Sequence, residues 1–348
     1  MAHRNRIPLA ALTPWITTAA LHHGDKLATH LMQRLAIGRR QAGRLLRRLV
    51  AAQWLVREGT PRRPHWRPGA LREVVMRYPL AGLQEDQPWR RDFAPCFVLP
   101  HEVQRLAQHA FTELVNNAVE HSGGSQVTVS MRQTPLQLQL LVSDDGCGLF
   151  AHIERHFAIR EPALAMVELA KGKLTSAPER HCGHGLHVTA RLADVFDLHA
   201  NAAGFQRRAW EGGGWRAARH APALAERAGT SIYAAITLQT PRTLDAVLRS
   251  ASLDGAGFEF ETTRVPLALL AAGGSGLLAA RADARRACAR LAQFKRAELD
   301  FGALDAIGHG FADELLRVFA REHPEVTLVP VGATAPVRQM LDAAAAAA

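Results

Sequence analysis

Two oxygen-bearing side chains in the segment FTELVNNAVEHS are the first candidates for chemistry in this sequence. Glu113 and Asn117 are four residues apart, so they would lie on one face of a helix, one turn from each other. Asn117 could offer a hard oxygen ligand to Mg²⁺, and Glu113 could take a proton from a water or a hydroxyl. The pair also suits an ordinary solvated helix face, so it does not define a site by itself.

A second candidate is the run DDGCG, residues 144–148, at the end of an alternating apolar strand. An aspartate at a strand end, here Asp144, can accept a hydrogen bond from an exocyclic amine such as that of adenine. Gly146 and Gly148 would let the backbone come close to such a ligand. An ordinary turn of aspartate and glycine is the alternative interpretation.

Two further blocks place glycines or a hydroxyl next to predicted elements. In RHCGHGL, Gly183 and Gly185 precede the predicted helix VTARLADVF, where free N–H groups could meet a phosphate. In GTSI, Thr230 opens the predicted strand YAAITL. A G-x-G spacing is not specific on its own, so these blocks gain meaning only together with the first two.

One helix and two strands must position Glu113, Asn117 and Asp144. Residues 102–120 place apolar side chains at a helical period, which predicts an amphipathic helix. Residues 127–131 and 136–142 alternate apolar and polar side chains, with a turn signal between them. These segments predict a hairpin whose second strand ends at Asp144.

In order and spacing, the four blocks resemble the nucleotide-binding boxes of the histidine-kinase/Hsp90-like ATPase superfamily, also called GHKL or Bergerat-fold. The resemblance covers about residues 95–240, and ELVNNAVEHS is most similar to the anti-sigma serine-kinase type. It implies ATP and Mg²⁺ as ligands on a Bergerat-fold α/β sandwich. One departure is that His181 and Cys182 stand where more glycine is common, which affects the phosphate contacts more than adenine binding.

The resemblance also implies a role for each block. Asn117 would hold Mg²⁺, Glu113 would activate a hydroxyl or water, and Asp144 would recognise adenine. Residues 149–182 would form a mobile lid over ATP. The remaining nucleotide contacts would come from glycines and one hydroxyl: Gly146 and Gly148 at the base, Gly183 and Gly185 at the phosphates, and Thr230.

The first part of the chain carries the whole basic excess. Residues 1–90 hold 16 Lys and Arg against 5 Asp and Glu, whereas the remaining residues hold 26 against 27. Residues 26–35 predict a short amphipathic helix, residues 36–38 a turn, and residues 39–52 a second helix with Leu45, Leu46 and Leu49 inward. A strand from Trp54 and a turn with a wing over residues 59–67 would follow.

Over about residues 13–70 this pattern resembles the winged helix-turn-helix of bacterial transcription regulators. In that fold the second helix enters the major groove and the wing touches the DNA backbone or minor groove. The resemblance implies double-stranded DNA as a partner, with a winged helix used for protein contacts as the alternative. Arginines of the second helix and the wing would make the DNA contacts: Arg39, Arg40, Arg44, Arg47, Arg48, Arg62 and Arg63, with Arg67 beside them.

The last part of the chain alternates predicted strands and helices, which indicates an α/β layer domain. The order LDF…DAIGHGFADELLRVF resembles the STAS-like domain that accompanies ATPases of this type, and it implies a protein partner. STAS domains in sigma-factor control carry a phosphorylatable Ser or Thr at the start of the helix after this turn. Here the turn is Gly308-His309-Gly310, so phosphorylation of a hydroxyl there is not expected.

The sequence therefore predicts a multidomain α/β protein with three domains. These are a winged helix-turn-helix (residues 1–90), an ATP-binding domain (91–242) and a STAS-like domain (250–342). The four cysteines are scattered without a CxxC pair, which argues against a zinc site or disulfide framework and fits a reducing cytoplasm. No membrane span is expected, and dimerisation is expected by analogy.

Three functions remain open at this point. The first is a DNA-binding transcription regulator gated by ATP, which the module order and charge distribution favour. The second is a serine/threonine protein kinase of the anti-sigma type, and the third an ATPase, both depending on Glu113. A sensor histidine kinase is disfavoured, because no phosphoacceptor histidine lies on a dimerising helix just before residue 102.

Overall fold

The computed structural model of the chain describes residues 7–176, 179, 182–218, 227–272 and 277–346. His181, one of the predicted departures in the glycine block, lies outside the described residues, as do three others of the predicted lid. Among the described residues, no helix combines the length and apolar character needed to cross a membrane.

The first unit consists of three helices and a two-stranded antiparallel hairpin. The helices are α1 (Thr13–His23), α2 (Leu27–Leu35) and α3 (Arg39–Ala51), and the strands are β1 (Leu55–Gly59) and β2 (Pro64–Pro68). Ala36 closes α2 in a left-handed conformation, with φ 51°. The predicted helix, turn and second helix agree with these bounds to within a residue.

Apolar side chains at helical spacing hold this unit together. Leu45, Leu46 and Leu49 are buried, as predicted, and they pack with α1, α2 and the hairpin. The cluster also contains residues from every other element of the unit: Leu12, Ile16, Leu27, Leu31, Trp54, Leu55 and Trp66.

The second unit is a seven-stranded sheet in which every neighbouring pair is antiparallel. Its order is β3-β4-β5-β9-β6-β7-β8. The strands are β3 (Arg72–Pro79), β4 (Gln126–Gln133), β5 (Gln137–Asp144), β6 (Val195–Ala200), β7 (Ala203–Arg208), β8 (Trp215–Ala217) and β9 (Thr230–Thr237).

Within the residues that the structure describes, six helices accompany this sheet in chain order. They are α4 (Asp86–Pro88, continued by the turns Trp89–Phe93 and Ala94–Cys96), α5 (His101–His121), α6 (Leu149–Phe157), α7 (Pro162–Lys171), α8 (Gly185–Leu192) and α9 (Leu244–Arg249). The longest, α5, covers the sheet with Leu106, Phe111, Leu114 and Val115, while its polar positions face elsewhere. The predicted helix over residues 102–120 and the predicted hairpin are confirmed.

The observed elements differ from the expectations in three places. The strand β3 lies within residues 1–90 but pairs with β4, because Val74 and Tyr78 are buried in the core of the second unit. The predicted helix VTARLADVF instead begins at Gly185 and ends at Leu192, since Val195 already belongs to a strand. The interval between the two predicted domains, residues 243–249, contains α9, whose first turn is capped by the Thr243 hydroxyl.

The third unit is a parallel three-stranded sheet with helices, in agreement with the predicted α/β layer. Its order is β10-β11-β12, with strands β10 (Thr262–Pro266), β11 (Arg296–Asp300) and β12 (Thr327–Val331). The helices are α10 (Leu267–Ala272), α11 (Arg281–Cys288), α12 (His309–Asp313, continued by Glu314–Phe319), α13 (Ala320–Glu322) and α14 (Ala335–Ala346). The helix α11 ends at Cys288, and Leu291–Gln293 forms a separate 3-10 turn.

The second and third units share one continuous apolar core. Residues of α5 and the large sheet belong to the same buried cluster as Val265, Leu299 and Phe311 of the third unit. The first unit has its own cluster and reaches the second through α1, which packs on β3.

Candidate functional site

The predicted blocks meet around one cavity between α5, the end of β5 and the segments that precede α6 and α8. Its volume is about 340 Å³. Seven of the eight residues predicted to bind nucleotide or act on it line this cavity: Glu113, Asn117, Asp144, Gly148, Gly183, Gly185 and Thr230. The eighth, Gly146, lies just behind them.

Asp144 is a buried carboxylate, 7 % exposed, at the base of the cavity. Its Oδ1 accepts hydrogen bonds from the backbone N–H groups of Gly146 (2.9 Å) and Thr230 (3.1 Å). Burial raises the pKa of this carboxyl, and the two backbone donors partly oppose that shift. With both donors on Oδ1, Oδ2 can accept from a ligand.

Gly146 cannot be replaced without moving the end of α5. A side chain there would overlap the carbonyl of Ser122, which also accepts a hydrogen bond from the N–H of Cys147 at 2.9 Å. The Ser122 hydroxyl in turn donates to the Ala118 carbonyl at 2.6 Å. The loop after Asp144 is therefore fixed to the helix that carries Glu113 and Asn117.

Gly148 and Asn201 together start α6. Gly148 has φ 85°, in the left-handed region that favours glycine, and any side chain there would overlap the Asn201 amide. Asn201 donates to the Cys147 carbonyl (2.9 Å) and accepts from the N–H groups of Phe150 and Ala151 (3.1 Å each). The Thr230 hydroxyl accepts from the N–H of Leu149 at 3.0 Å, so the first three amides of α6 have partners.

Asn201 belongs to none of the four predicted nucleotide-binding blocks. The residues Asn201 and Ala202 both have positive φ, 49° and 60°, and form the two-residue turn between β6 and β7. Asparagine is favoured in two-residue hairpin turns, so the sequence could have predicted the turn itself. Its contact with the start of α6 depends on chain pairing that the sequence does not display.

The glycines before α8 allow close backbone approach. Gly183 has φ 73°, and a side chain there would press on the backbone of Leu174. A side chain at Gly185 would overlap the Glu113 carboxylate, so Glu113 lies directly against the first turn of α8. His184, the residue that precedes α8, makes no side-chain hydrogen bond to the helix, and the first two residues of α8, Gly185 and Leu186, line the cavity.

The residues present suit a nucleotide that brings its own Mg²⁺. Within the described part of the chain, no group of three His, Cys, Asp or Glu side chains is placed to hold a metal ion. Asn117 supplies one amide oxygen at the cavity, and Mg²⁺ sites commonly complete their shell with phosphate oxygens and waters. Gly148, Gly183 and Gly185 are packed so closely that a Cβ at each would collide with neighbouring protein atoms.

Three histidines also line the cavity, and the sequence analysis assigned them no role there. The His121 and His152 rings are 5.3 Å apart, and the Nε2 of His152 is 3.1 Å from the Ser176 hydroxyl. Burial and then the neighbouring His156, His121 and Arg155 lower the pKa of His152 to about 4. Burial, with Lys173 nearby, lowers the pKa of His184 to about 4 as well. Both rings are therefore neutral at physiological pH.

The predicted DNA-contacting arginines form a second candidate surface, away from the cavity. Six of the seven are exposed on α3 and at the tip of the hairpin: Arg39, Arg40, Arg44, Arg47, Arg62 and Arg63. The seventh, Arg48, is partly buried and donates to the Ile7 carbonyl at 2.9 Å. This bond joins Arg48 to the start of the described chain, and a DNA contact of Arg48, like those of the other six arginines, stays a prediction.

Comparisons with known proteins identify two of the three units. Residues 88–207 match the model of the histidine kinase-like ATPase domain. Residues 283–338 match that of a STAS-like domain of unknown function (DUF4325). The chain therefore contains a histidine-kinase-like ATPase domain followed by a C-terminal STAS-like domain. A search of curated proteins gave no match.

The first prediction concerns Asp144 and nucleotide binding. In Asp144→Asn the amide oxygen can keep both backbone hydrogen bonds, but an N–H group replaces Oδ2 and would face the donor of adenine. We expect ATP affinity in calorimetry to fall tenfold or more, about 1.4 kcal/mol. The free energy of unfolding should not fall, because the change removes a buried charge. Unchanged affinity would remove Asp144 from the ligand contact.

The second prediction concerns acid stability. Burial first, and then Arg191, lower the pKa of the partly buried His187 to about 3. An unfolded histidine titrates near about 6.5, so the unfolded chain binds more protons below that pH. The free energy of unfolding should therefore fall as pH drops from neutral toward 4. In denaturant titrations His187→Gln should flatten this slope, and the exposed control His101→Gln should leave it unchanged; equal slopes would contradict the assignment.

Proposed function

We propose that this protein is an ATP-binding regulator in which the histidine-kinase-like domain binds the nucleotide. The observation that carries the proposal is the convergence of Glu113, Asn117, Asp144, Gly183 and Gly185 on one cavity. These residues come from segments far apart in sequence, and each has the chemistry that one part of ATP requires. A histidine-kinase-like domain joined to a STAS-like domain fits a regulatory protein.

The nucleotide would bind with its base at Asp144 and its phosphates toward Glu113 and α8. Asp144 would accept from the exocyclic amine of adenine, and Gly146 and Gly148 would line the ring. The amides of α8 would meet the phosphates, since α6 has already used its first three amides. Asn117 would contribute an oxygen to Mg²⁺, which neutralises phosphate charge when bound.

A second candidate function is phosphoryl transfer or hydrolysis with Glu113 as general base. The observation that favours it is the contact between the Glu113 carboxylate and Gly185, which places a proton acceptor at the proposed phosphate end of the cavity. Glu113 would take the proton from the attacking hydroxyl or water. The acceptor would be a serine or threonine of a partner protein in a kinase, and water in an ATPase.

A test of turnover separates these two functions. The full-length chain with Mg²⁺ and ATP labelled on the γ-phosphate should show tight binding, with either no label transfer or slow transfer. Glu113→Ala should keep nucleotide affinity within about threefold while abolishing release or transfer, a loss of 10² or more for a general base. Equal loss of binding and turnover would make Glu113 a structural residue. Binding without any release in the unaltered chain would favour a nucleotide-gated switch.

We further propose that the first unit binds double-stranded DNA as a winged helix-turn-helix. What supports this is the exposed set on α3, where Arg39, Arg40, Arg44 and Arg47 have no ion-pair partner among the described residues. Arg62 and Arg63 are exposed at the tip of the hairpin, where a wing would contact the DNA backbone. Leu45, Leu46 and Leu49 face the opposite side of α3, so the arginines are free to face a partner.

The DNA proposal predicts a change in salt dependence. Arg44→Ala combined with Arg47→Ala should weaken binding to duplex DNA and flatten the slope of log affinity against log salt by about two units. The matched control is Arg321→Ala with Arg338→Ala, which removes two exposed arginines from the STAS-like domain. Fluorescence anisotropy over a range of salt concentrations measures both. An unchanged slope in the first variant would remove α3 from the interface.

A protein partner on the STAS-like domain, homodimerisation and a cytoplasmic location stay predictions. His309, the first residue of α12, is exposed, and the expectation that residues 308–310 are not phosphorylated on a Ser or Thr also stays a prediction.

A further inference from the structure

One buried lysine, Lys171, joins the STAS-like domain to a helix that lines the cavity. Lys171, at the end of α7, has a side chain only 2 % exposed, and its partner Glu168 only 3 %. Its Nζ donates to Glu168 Oε1 and to the Ala289 carbonyl beyond α11, both at 2.6 Å. Burial lowers the pKa of Lys171, and the Glu168 carboxylate opposes that shift.

The main chain around Lys171 is held by the third unit as well. The Thr263 hydroxyl of β10 donates to the Lys171 carbonyl at 2.9 Å. Two residues on, Lys173 donates to the Gln293 carbonyl at 2.5 Å. Between them Gly172 has φ 92°, and a side chain there would press on the Phe260 ring. The end of α7 is therefore joined to the third unit on both sides.

The same contacts reach residues that line the cavity. His184, in the glycine block, stacks on Phe260 with ring centroids 4.0 Å apart. Phe157, at the end of α6, lies under the Arg290 guanidinium at 4.7 Å. Leu169, on α7 beside Lys171, also faces the cavity. The third unit thus contacts the cavity wall from behind at the end of α6, along α7 and before α8.

We propose that the seating of the STAS-like domain on α7 sets the affinity of the nucleotide cavity, with Lys171 as the positioning residue that joins the two. This inference rests on the proposed function, because it assigns a regulation to the same cavity. A seated domain holds Phe157, Leu169 and His184 in place, so a ligand does not have to order them when it binds. Because coupling is reciprocal, a bound nucleotide also stabilises the seated domain. A partner that pulls the domain away would then release nucleotide.

The first test uses the unaltered full-length chain and hydrogen exchange with and without ADP and Mg²⁺. Amides of residues 289–294 lie on the domain side of the Lys171 and Lys173 contacts and do not line the cavity. They should exchange at least about fivefold more slowly with ADP, relative to amides of α2 in the first unit. Binding of ADP with unchanged exchange at 289–294 would overturn the inference alone. No binding of ADP or ATP would overturn the proposed function, and the inference with it.

The second test alters the buried pair. Removing Lys171 alone would strand the Glu168 charge, so the variant is Lys171→Met with Glu168→Leu, because apolar replacement of both partners is often neutral for folding. It loses the contact with Ala289, and ADP affinity should fall at least about fivefold. The matched control is Lys295→Met with Glu261→Leu, an ion pair of the third unit whose lysine is 65 % exposed and which does not line the cavity.

The two double variants give opposite expectations. The control should bind ADP like the unaltered chain, and its amides at 289–294 should still respond to the ligand. In the Lys171 variant that response should be lost, while circular dichroism and the unfolding midpoint show a folded chain. Unchanged or tighter ADP binding in the Lys171 variant would overturn the inference. Should that variant not fold, Arg290→Ala, on the exposed edge of the same contact, should show a smaller loss of affinity in the same direction, and an unchanged affinity there would count equally against it.

Discussion

The cavity depends on the buried carboxylate of Asp144. Because this group is removed from water, it requires hydrogen-bond donors, and it takes them from the backbone of Gly146 and Thr230. Because both hydrogen bonds end on Asp144 Oδ1, this atom joins the loop after β5 to the start of β9. The hydroxyl of Thr230 accepts from the first amide of α6, so the end of β5, the start of β9 and the start of α6 are joined through Asp144 and Thr230.

The glycines around the cavity are the second constraint on its structure. Gly146, Gly183 and Gly185 each lie where a Cβ would collide with a neighbour, and the neighbours differ: the Ser122 carbonyl, the Leu174 backbone and the Glu113 carboxylate. This contact places the Glu113 carboxylate, in the middle of α5, against the positive N-terminal end of α8. The missing side chain at Gly185 would let a phosphate approach α8, and it also makes room for the Glu113 carboxylate, the proposed general base.

The second unit connects the other two. The first unit contacts its edge strand β3, and the third unit contacts its helix α7. On one side the Thr17 hydroxyl of α1 accepts from the N–H of Glu73 in β3 at 3.1 Å, and Arg72 donates to the Cys96 carbonyl at 3.0 Å. On the other side Lys171 and Lys173 join α7 to the STAS-like domain. The first unit, through α1, and the STAS-like domain, through the contacts of Lys171 and Lys173, therefore both contact elements of the histidine-kinase-like ATPase domain.

The sequence by itself determined the local parts of this protein. Helical spacing placed Glu113 and Asn117 on α5, strand alternation ended β5 at Asp144, and the charge count assigned the basic excess to the first unit, because each depends on residues close together in the chain. It also indicated the two domains that the family comparisons identify. Only the tertiary structure brought Asn201 to the start of α6, moved β3 into the second sheet, engaged Arg48 with Ile7 and buried Lys171 against the STAS-like domain. These outcomes depend on contacts between distant segments, whose partners a local pattern does not specify.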